Sequence, residues 1–351
     1  MIAIHCLAVI GNETWTLALA MLTAVISALV GTFLMLDRRA MLTEGLSHAV
    51  LPGIVVGFAI TGSPHSPWLF AAAITSGLLM VWSTERLIRH FRVDHDVALG
   101  MVFTFMLAIG VLVASRYLRD TTFHADCIID GNLTLAAVDG WPIAGGNWLP
   151  KRLVSLAVVL ALVVAFLVTL RKEVPLIWLD PMLARRLGYR VDLIKAVWLS
   201  LVCLVTVVCF ETAGSVLIVA LMIAPPVAAK MIVGRMPQLI VLSLGFAVLS
   251  AWWGFHFGMA IDVAPTGPMS VAAGGIAVAA TVFGPRRGWI SRMRNRTTVR
   301  RRHFTAILQT AATKLPPDMD LSERQSRLAS DLEWPLNRVR RLWSSVDADS
   351  R

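Results

Sequence analysis

Hydrophobic and polar positions alternate along this chain in long blocks rather than at short period. Nine predominantly apolar segments emerge, at 15–36, 41–60, 67–83, 97–115, 153–170, 193–210, 214–233, 238–257 and 268–285. A helix rises about 1.5 Å per residue, so most of these blocks match a hydrocarbon layer of about 30 Å. The pattern predicts an all-α protein, a polytopic transmembrane helical bundle. Segments 193–210 and 214–233 are separated only by "ETA". One of the two is therefore expected to be re-entrant if the spans number eight rather than nine. Beyond residue 285 the blocks end, and a polar tail with two shorter helical stretches begins. The expected organisation is a membrane domain, 1–285, and a basic tail, 286–351.

Composition agrees with this class. Of 351 residues, 57% are hydrophobic and 15% charged, against about 25% charged in soluble domains. The start of the chain lacks the basic n-region of a cleaved signal and reads as mature sequence. The four cysteines, Cys6, Cys127, Cys203 and Cys209, form no Cys-x-x-Cys pair and suggest no disulfide framework.

Charge adds orientation. The tail carries fifteen Lys/Arg against seven Asp/Glu, which accounts for eight of the net +10. Arg38 and Arg39, then Arg86, Arg89 and Arg92, then Arg171 and Lys172, then Lys230 and Arg235, then Arg286 and Arg287 follow alternate segments. Nine spans put all of them on one side, which the positive-inside rule makes cytoplasmic, with the C-terminus. Arg116, Arg119, Lys151 and Arg152 flank the long loop on the other side and run against the rule.

Candidate chemistry begins at "TEGLSHAVLPG", residues 43–53. Glu44 and His48 are spaced i, i+4 and project from one helix face. Each is costly inside a bilayer, by about 2.5–3.5 kcal/mol for a charged group at a helix centre. The pair is expected to look into a cavity. A carboxylate with an imidazole suits divalent first-row metals such as manganese, zinc and iron; a hydrogen-bonded Glu–His pair at the membrane boundary is the plainer reading. Two residues do not complete a metal site, so another segment or subunit has to add ligands. Pro52 cannot donate to the carbonyl of His48 and is expected to kink the helix there. Pro225 and Pro226 are expected to kink or unwind the seventh segment. Glu211 and Asp262 lie near the outer ends of spans, where a gate or funnel would use them. His124, Asp126 and Cys127 cluster in the outer loop.

Between the fifth and sixth segments, "DPMLARRLG" predicts about two turns of helix. Asp180 suits the N-cap, Pro181 the first position and Gly188 the C-terminal cap. It reads as a solvated loop helix or as a docking helix for a partner. No G-x-x-x-x-G-K-[ST] is present, nor any H-E-x-x-H or G-x-S-x-G. ATP hydrolysis is therefore expected to belong to a separate chain, and no enzyme activity is assigned.

Five ordered stretches carry a resemblance: "EGLSHAVLPGIVVGF", "DVALGMVFTFMLAIGVL", "DPMLARRLG", "FETAGSVLIVALMIAPPVAA" and "DVAPTGPMSV". Over roughly residues 15–285 the chain resembles the membrane permeases of ABC importers for manganese, zinc and iron. The resemblance implies an extracytoplasmic metal-binding protein, two permease subunits and two cytoplasmic ATP-binding subunits in the inner membrane. It implies Glu44 and His48 as ligands of the transported ion, which is cargo rather than a resident cofactor. It also implies 180–188, with Ala184 and Arg185, as the helix that couples to the ATPase. The family usually has Asp where Glu44 stands, which leaves the metal open.

The tail reads as a membrane-proximal basic run, 286–302, attracted to anionic lipid, followed by a small helical module. Ser322 is a candidate cap there. A second helix after Pro335, carrying Arg338, Arg340 and Arg341, is reminiscent of a winged-helix fragment. Two rival functions follow: a secondary metal transporter, which would need inverted repeats that are not seen, and a membrane-anchored DNA-binding regulator.

Overall fold

The computed structural model describes residues 2–62, 67–117, 133–138, 140–142, 148–286, 288–291, 293, 320–332, 335, 336 and 339. The helices in chain order are α1 (Ile2–Leu36), α2 (Leu42–Thr61), α3 (Pro67–Phe91), α4 (His95–Tyr117) and α5 (Leu133–Val138). A two-stranded antiparallel hairpin follows, β1 (Gly140–Pro142) and β2 (Trp148–Pro150), with Trp141 opposite Leu149. Then come α6 (Lys151–Thr169), α7 (Glu173–Leu179), α8 (Pro181–Arg186), α9 (Val191–Ala213), α10 (Ser215–Ile232), α11 (Met236–Ala260), α12 (Thr266–Phe283) and α13 (Leu321–Asp331). The chain divides into two compact units, Met1–Ala280 and Thr281–Arg351.

Each of the nine apolar segments is a helix, and eight of these helices are long and apolar enough to cross a membrane. Both α9 and α10 qualify, and a single residue, Gly214, joins them. The weakest of the nine by composition is α3. Its apolar stretch stops before Glu85, Arg86, Arg89 and His90. Its packing nevertheless carries it through the bundle. Phe70, in its first turn, lies 5.8 Å from the guanidinium of Arg152, which pairs with Glu211 at the end of α9. Glu85, near its other end, pairs with Arg39, in the same charge cluster as Lys195 at the start of α9. So α3 runs antiparallel to α9 over the same height. α3 therefore runs between the same two ends of the bundle as α9, here called the Glu211 end and the Arg39 end.

α1 is central and packs on α9, α10 and α11, while α2 packs chiefly on α3 and α4. Small residues let backbones approach, as expected where lipid supplies no hydrophobic drive for helix association. A Cβ on Gly53 would meet the Ala72 carbonyl oxygen of α3 at 2.4 Å. Buried hydroxyls satisfy themselves on their own helices: Thr23, Thr32 and Thr206 each donate to the carbonyl four residues back. Thr32 also meets Ser243 of α11 at 3.1 Å, a polar tie across the core.

At the Arg39 end, Asp37 receives Arg39 at 2.9 Å and Lys195 at 2.5 Å. Deeper, an aromatic knot forms from Phe33 of α1, Phe166 of α6, Trp178 of α7 and Trp198 of α9. Trp198 stacks on Phe166 at 5.5 Å and meets Phe33 edge-on at 5.4 Å and Trp178 edge-on at 5.8 Å. α7 was not expected from the sequence. Its buried Val174, Ile177 and Trp178 bind it to the bundle.

Within the second unit, α13 begins at Asp320, which takes the N-cap position in extended conformation. Ser322 is one turn position inside the helix and donates to the Asp320 carboxylate at 2.7 Å. The cap therefore lies two residues earlier than the Ser322 expected from the sequence. The basic run of 294–302, the predicted helix over 304–315 and the arginines 338, 340 and 341 lie outside the described residues.

Candidate functional site

α2 opens at Leu42, and Glu44 stands in its first turn, where a carboxylate favours the positive end of the helix dipole. One face of α2 is spent on packing: Leu46, Ala49, Val50 and Gly53 are buried. Glu44 and His48 fall on the remaining face. Nε2 of His48 lies 3.4 Å from Oε1 of Glu44, and the side chains are 40% and 49% exposed, respectively. In the single chain the pair therefore opens to the surface instead of lining a closed cavity. No third His, Cys, Asp or Glu joins it among the described residues. The imidazole is stacked on Phe103 of α4, with ring centroids 5.6 Å apart and planes 24° from parallel. Phe103 fixes the plane of the imidazole. It lies in "DVALGMVFTF", but an aromatic within an apolar run gives no sign from sequence that it will stack on His48.

Pro52 is buried inside α2, and α2 remains continuous through it. Its ring sits against α4, where a Cβ on Gly110 would be 3.1 Å from Pro52 Cδ. One residue from the carbonyl that Pro52 frees, Ser76 of α3 donates to the carbonyl of Ala49 at 2.6 Å. Pro225 and Pro226 likewise sit inside a continuous α10. Pro226 leaves the carbonyl of Met222 without its helical donor. That carbonyl faces Gly31 of α1, so closely that a Cβ there would be 1.9 Å from the oxygen. The sulfur of the same Met222 lies 3.4 Å from the hydroxyl of Thr43 in α2. The double proline thus marks a three-helix contact next to the turn that carries Glu44.

Glu211 and Asp262 belong to different connections. Glu211 closes α9 and is ion-paired with Arg152 of α6. This pairing accounts for a basic residue on the loop that runs against the charge rule. Asp262 is exposed in the turn after α11, with φ of +54°. His124, Asp126 and Cys127 lie outside the described residues.

α8 is a capped turn and a half. The Asp180 carboxylate accepts from the Leu183 N–H at 3.0 Å, and Pro181 occupies the first helical position. The helix ends with two backward bonds, Gly188 N–H to Arg185 O and Tyr189 N–H to Ala184 O, both 3.1 Å. This closure needs a left-handed residue, and Gly188 has φ of +86°. Ala184 is fully buried, while Arg185 is exposed and bonds Asp192 of α9 at 2.9 Å.

The pattern that defines the ABC 3 transport family matches residues 12–284. The chain belongs to that family. The chain is 34% identical to the manganese transport system membrane protein MntD of Bacillus subtilis over 280 residues, 80% of this chain and 95% of the relative. It is 31% identical to the zinc transport system membrane protein TroD of Treponema pallidum, over 78% of this chain and 74% of the relative. It is 24% identical to the chelated iron transport system membrane protein YfeC of Yersinia pestis, over 79% and 88%. Among solved structures, PsaBC from Streptococcus pneumoniae shares the fold with a TM-score of 0.64 at 22% identity, over 79% of this chain and 94% of that one. The ABC 3 core thus accounts for the first unit, while residues 285–351 lie beyond the match.

Proposed function

We propose that this chain is the membrane permease of an ABC importer for divalent transition metal ions, with manganese, zinc and iron as the candidate cargo. A separate ATP-binding subunit drives it, an extracytoplasmic binding protein loads it, and the Arg39 end faces the cytoplasm. The named substrates of the family relatives support the cargo class, and the density of Lys and Arg at the Arg39 end supports the orientation.

The observation that carries the reading is the Glu44–His48 pair. Two donors 3.4 Å apart, each bonding a metal at about 2.1 Å, subtend roughly 108° at the ion, close to a tetrahedral angle. Phe103 holds the imidazole plane, so His48 offers its nitrogen without first losing rotational freedom. Two ligands on a half-exposed face leave the other coordination positions to waters or to a second permease subunit. Such incomplete ligation suits cargo, which must leave again. Glu44 also neutralises part of the ion's charge, which lowers the cost of bringing a dication to membrane depth.

The reading is tested in proteoliposomes that contain the assembled transporter. His48→Ala is expected to abolish manganese and zinc uptake while membrane insertion and association with the ATPase persist. Glu44→Asp is expected to retain more uptake than Glu44→Gln, because only the latter removes the charge. Normal uptake by a correctly inserted His48→Ala variant would overturn the assignment. A secondary transporter would move metal without ATP, so ATP dependence separates that rival.

A further inference from the structure

Between α3 and α9, at the Arg39 end, runs a groove of about 650 Å³. Its walls change character along their length. Toward the middle of the bundle they are apolar, with Leu78, Val81 and Trp82 on α3 and Leu199 on α9. One to two turns further along α3 come Arg86, Arg89 and His90. The groove adjoins a smaller cleft of about 300 Å³ that shares Glu85 and Arg89 and reaches Pro181 and Arg185 of α8.

Most charges around these two spaces are already satisfied. Glu85 pairs with Arg39, Lys195 with Asp37, and Asp192 with Arg185. Arg86 and Arg89 have no carboxylate partner among the described residues. Arg86 instead lies over the indole of Trp82, 5.1 Å from the ring centre. Both guanidiniums are exposed at the head of an apolar channel, and Trp82, itself 57% exposed, stands between the two regimes. An indole at that level is the usual marker of the membrane–water boundary.

We infer that this groove binds an anionic phospholipid, with its phosphate held by Arg86 and Arg89 and an acyl chain lying along Leu78, Trp82 and Ala196. Guanidinium matches a phosphodiester with paired N–H donors. Basic pockets between transmembrane helices on the cytoplasmic side hold acidic head groups by the same chemistry. The apolar length below the arginines selects a lipid over a free phosphate. Bound there, the head group lies beside the cleft that α8 lines, so lipid charge would be felt at the segment that the family resemblance implies as the coupling helix. The site is independent of Glu44 and His48, and so is its readout.

The test is native mass spectrometry of the full-length chain titrated with phosphatidylglycerol, phosphatidylcholine or inorganic phosphate. The intact chain is expected to hold one phosphatidylglycerol in preference to phosphatidylcholine. Arg86→Gln with Arg89→Gln should weaken that binding about thirtyfold, which corresponds to about 1 kcal/mol for each arginine. Arg190→Gln, an exposed arginine outside the groove, should leave it unchanged. Ser200→Trp, which fills the groove with both arginines intact, should also weaken it. Equal binding by the double variant, equal retention of phosphatidylcholine, or displacement by inorganic phosphate at matched concentration would each overturn the assignment.

Discussion

At the residue scale, missing atoms matter as much as present ones. Gly31 is where α1 meets the carbonyl of Met222 that Pro226 strips of its donor. A methyl group there would lie 1.9 Å from that oxygen, so α1 and α10 would have to separate. Gly31→Ala is expected to destabilise the protein by about 1–3 kcal/mol, the usual cost of overpacking. Gly245 offers the contrast, since a Cβ there meets nothing within 4 Å. Gly245→Ala should be neutral or gain up to about 1 kcal/mol, because it removes backbone freedom from the unfolded chain. Thermal unfolding of both variants in detergent, followed by tryptophan fluorescence, distinguishes them. The acid–imidazole pair was legible from spacing alone, because i, i+4 forces two side chains together on a helix. Its exposure was not legible. Which face of α2 is packed depends on α3 and α4, and "GLSHAVLPG" has small or apolar residues on every side. The partners of Glu211 and Asp37 were equally hidden, since an ion pair between distant helices leaves no mark on either one.

At the scale of elements, capping chemistry was readable and tertiary anchoring was not. Asp180, Pro181 and Gly188 announce where α8 starts and stops through local backbone needs. α7 gave no such notice: "EVPLIWL" is too short for a periodic pattern, and its helix is held by Trp178 in the aromatic knot. Each edge-on or offset aromatic contact of this kind contributes about 0.5–1.5 kcal/mol beyond area burial. α7 therefore attaches α8 firmly to α1 and α9. Gly188→Val should break the closure of α8, because a β-branched residue resists positive φ. Asp180→Ala should cost about 1 kcal/mol of local stability through loss of the cap. In the assembled transporter, Gly188→Val is expected to lose most ATPase association or most metal-stimulated ATP hydrolysis, and Asp180→Ala to lose part of it. A cysteine at Arg185 should cross-link to the ATPase. Wild-type behaviour in all three measurements would make α8 a connecting turn with no role in coupling.

At the scale of the whole molecule, the number of crossings decides which side of the membrane each end sees. By composition α3 is the weakest of the nine, because its charged residues begin at Glu85. Its contacts at both ends of the bundle carry it through, and Arg39 offsets the charge of Glu85 where α3 reaches the boundary. In a cysteine-free background, Thr61→Cys and Asp94→Cys flank α3 on either side. They are expected to react with a membrane-impermeant maleimide from opposite faces, with Asp94→Cys sharing the face of a cysteine at Arg185. Labelling of both from the same face would mean that α3 does not cross and that eight helices do.

The half-exposed acid and imidazole on α2 have a consequence in heredity. If Glu44 and His48 belong, as proposed, to a ligand set shared between two chains, one good copy within a pair cannot repair it. If the second permease is another molecule of this chain, a cell that makes intact and His48→Ala chains together should lose uptake more steeply than the proportion of damaged chain. The damaged copy then behaves as dominant. If the second permease is a different polypeptide, each assembly holds one copy of this chain, and uptake should fall only in step with the damaged fraction.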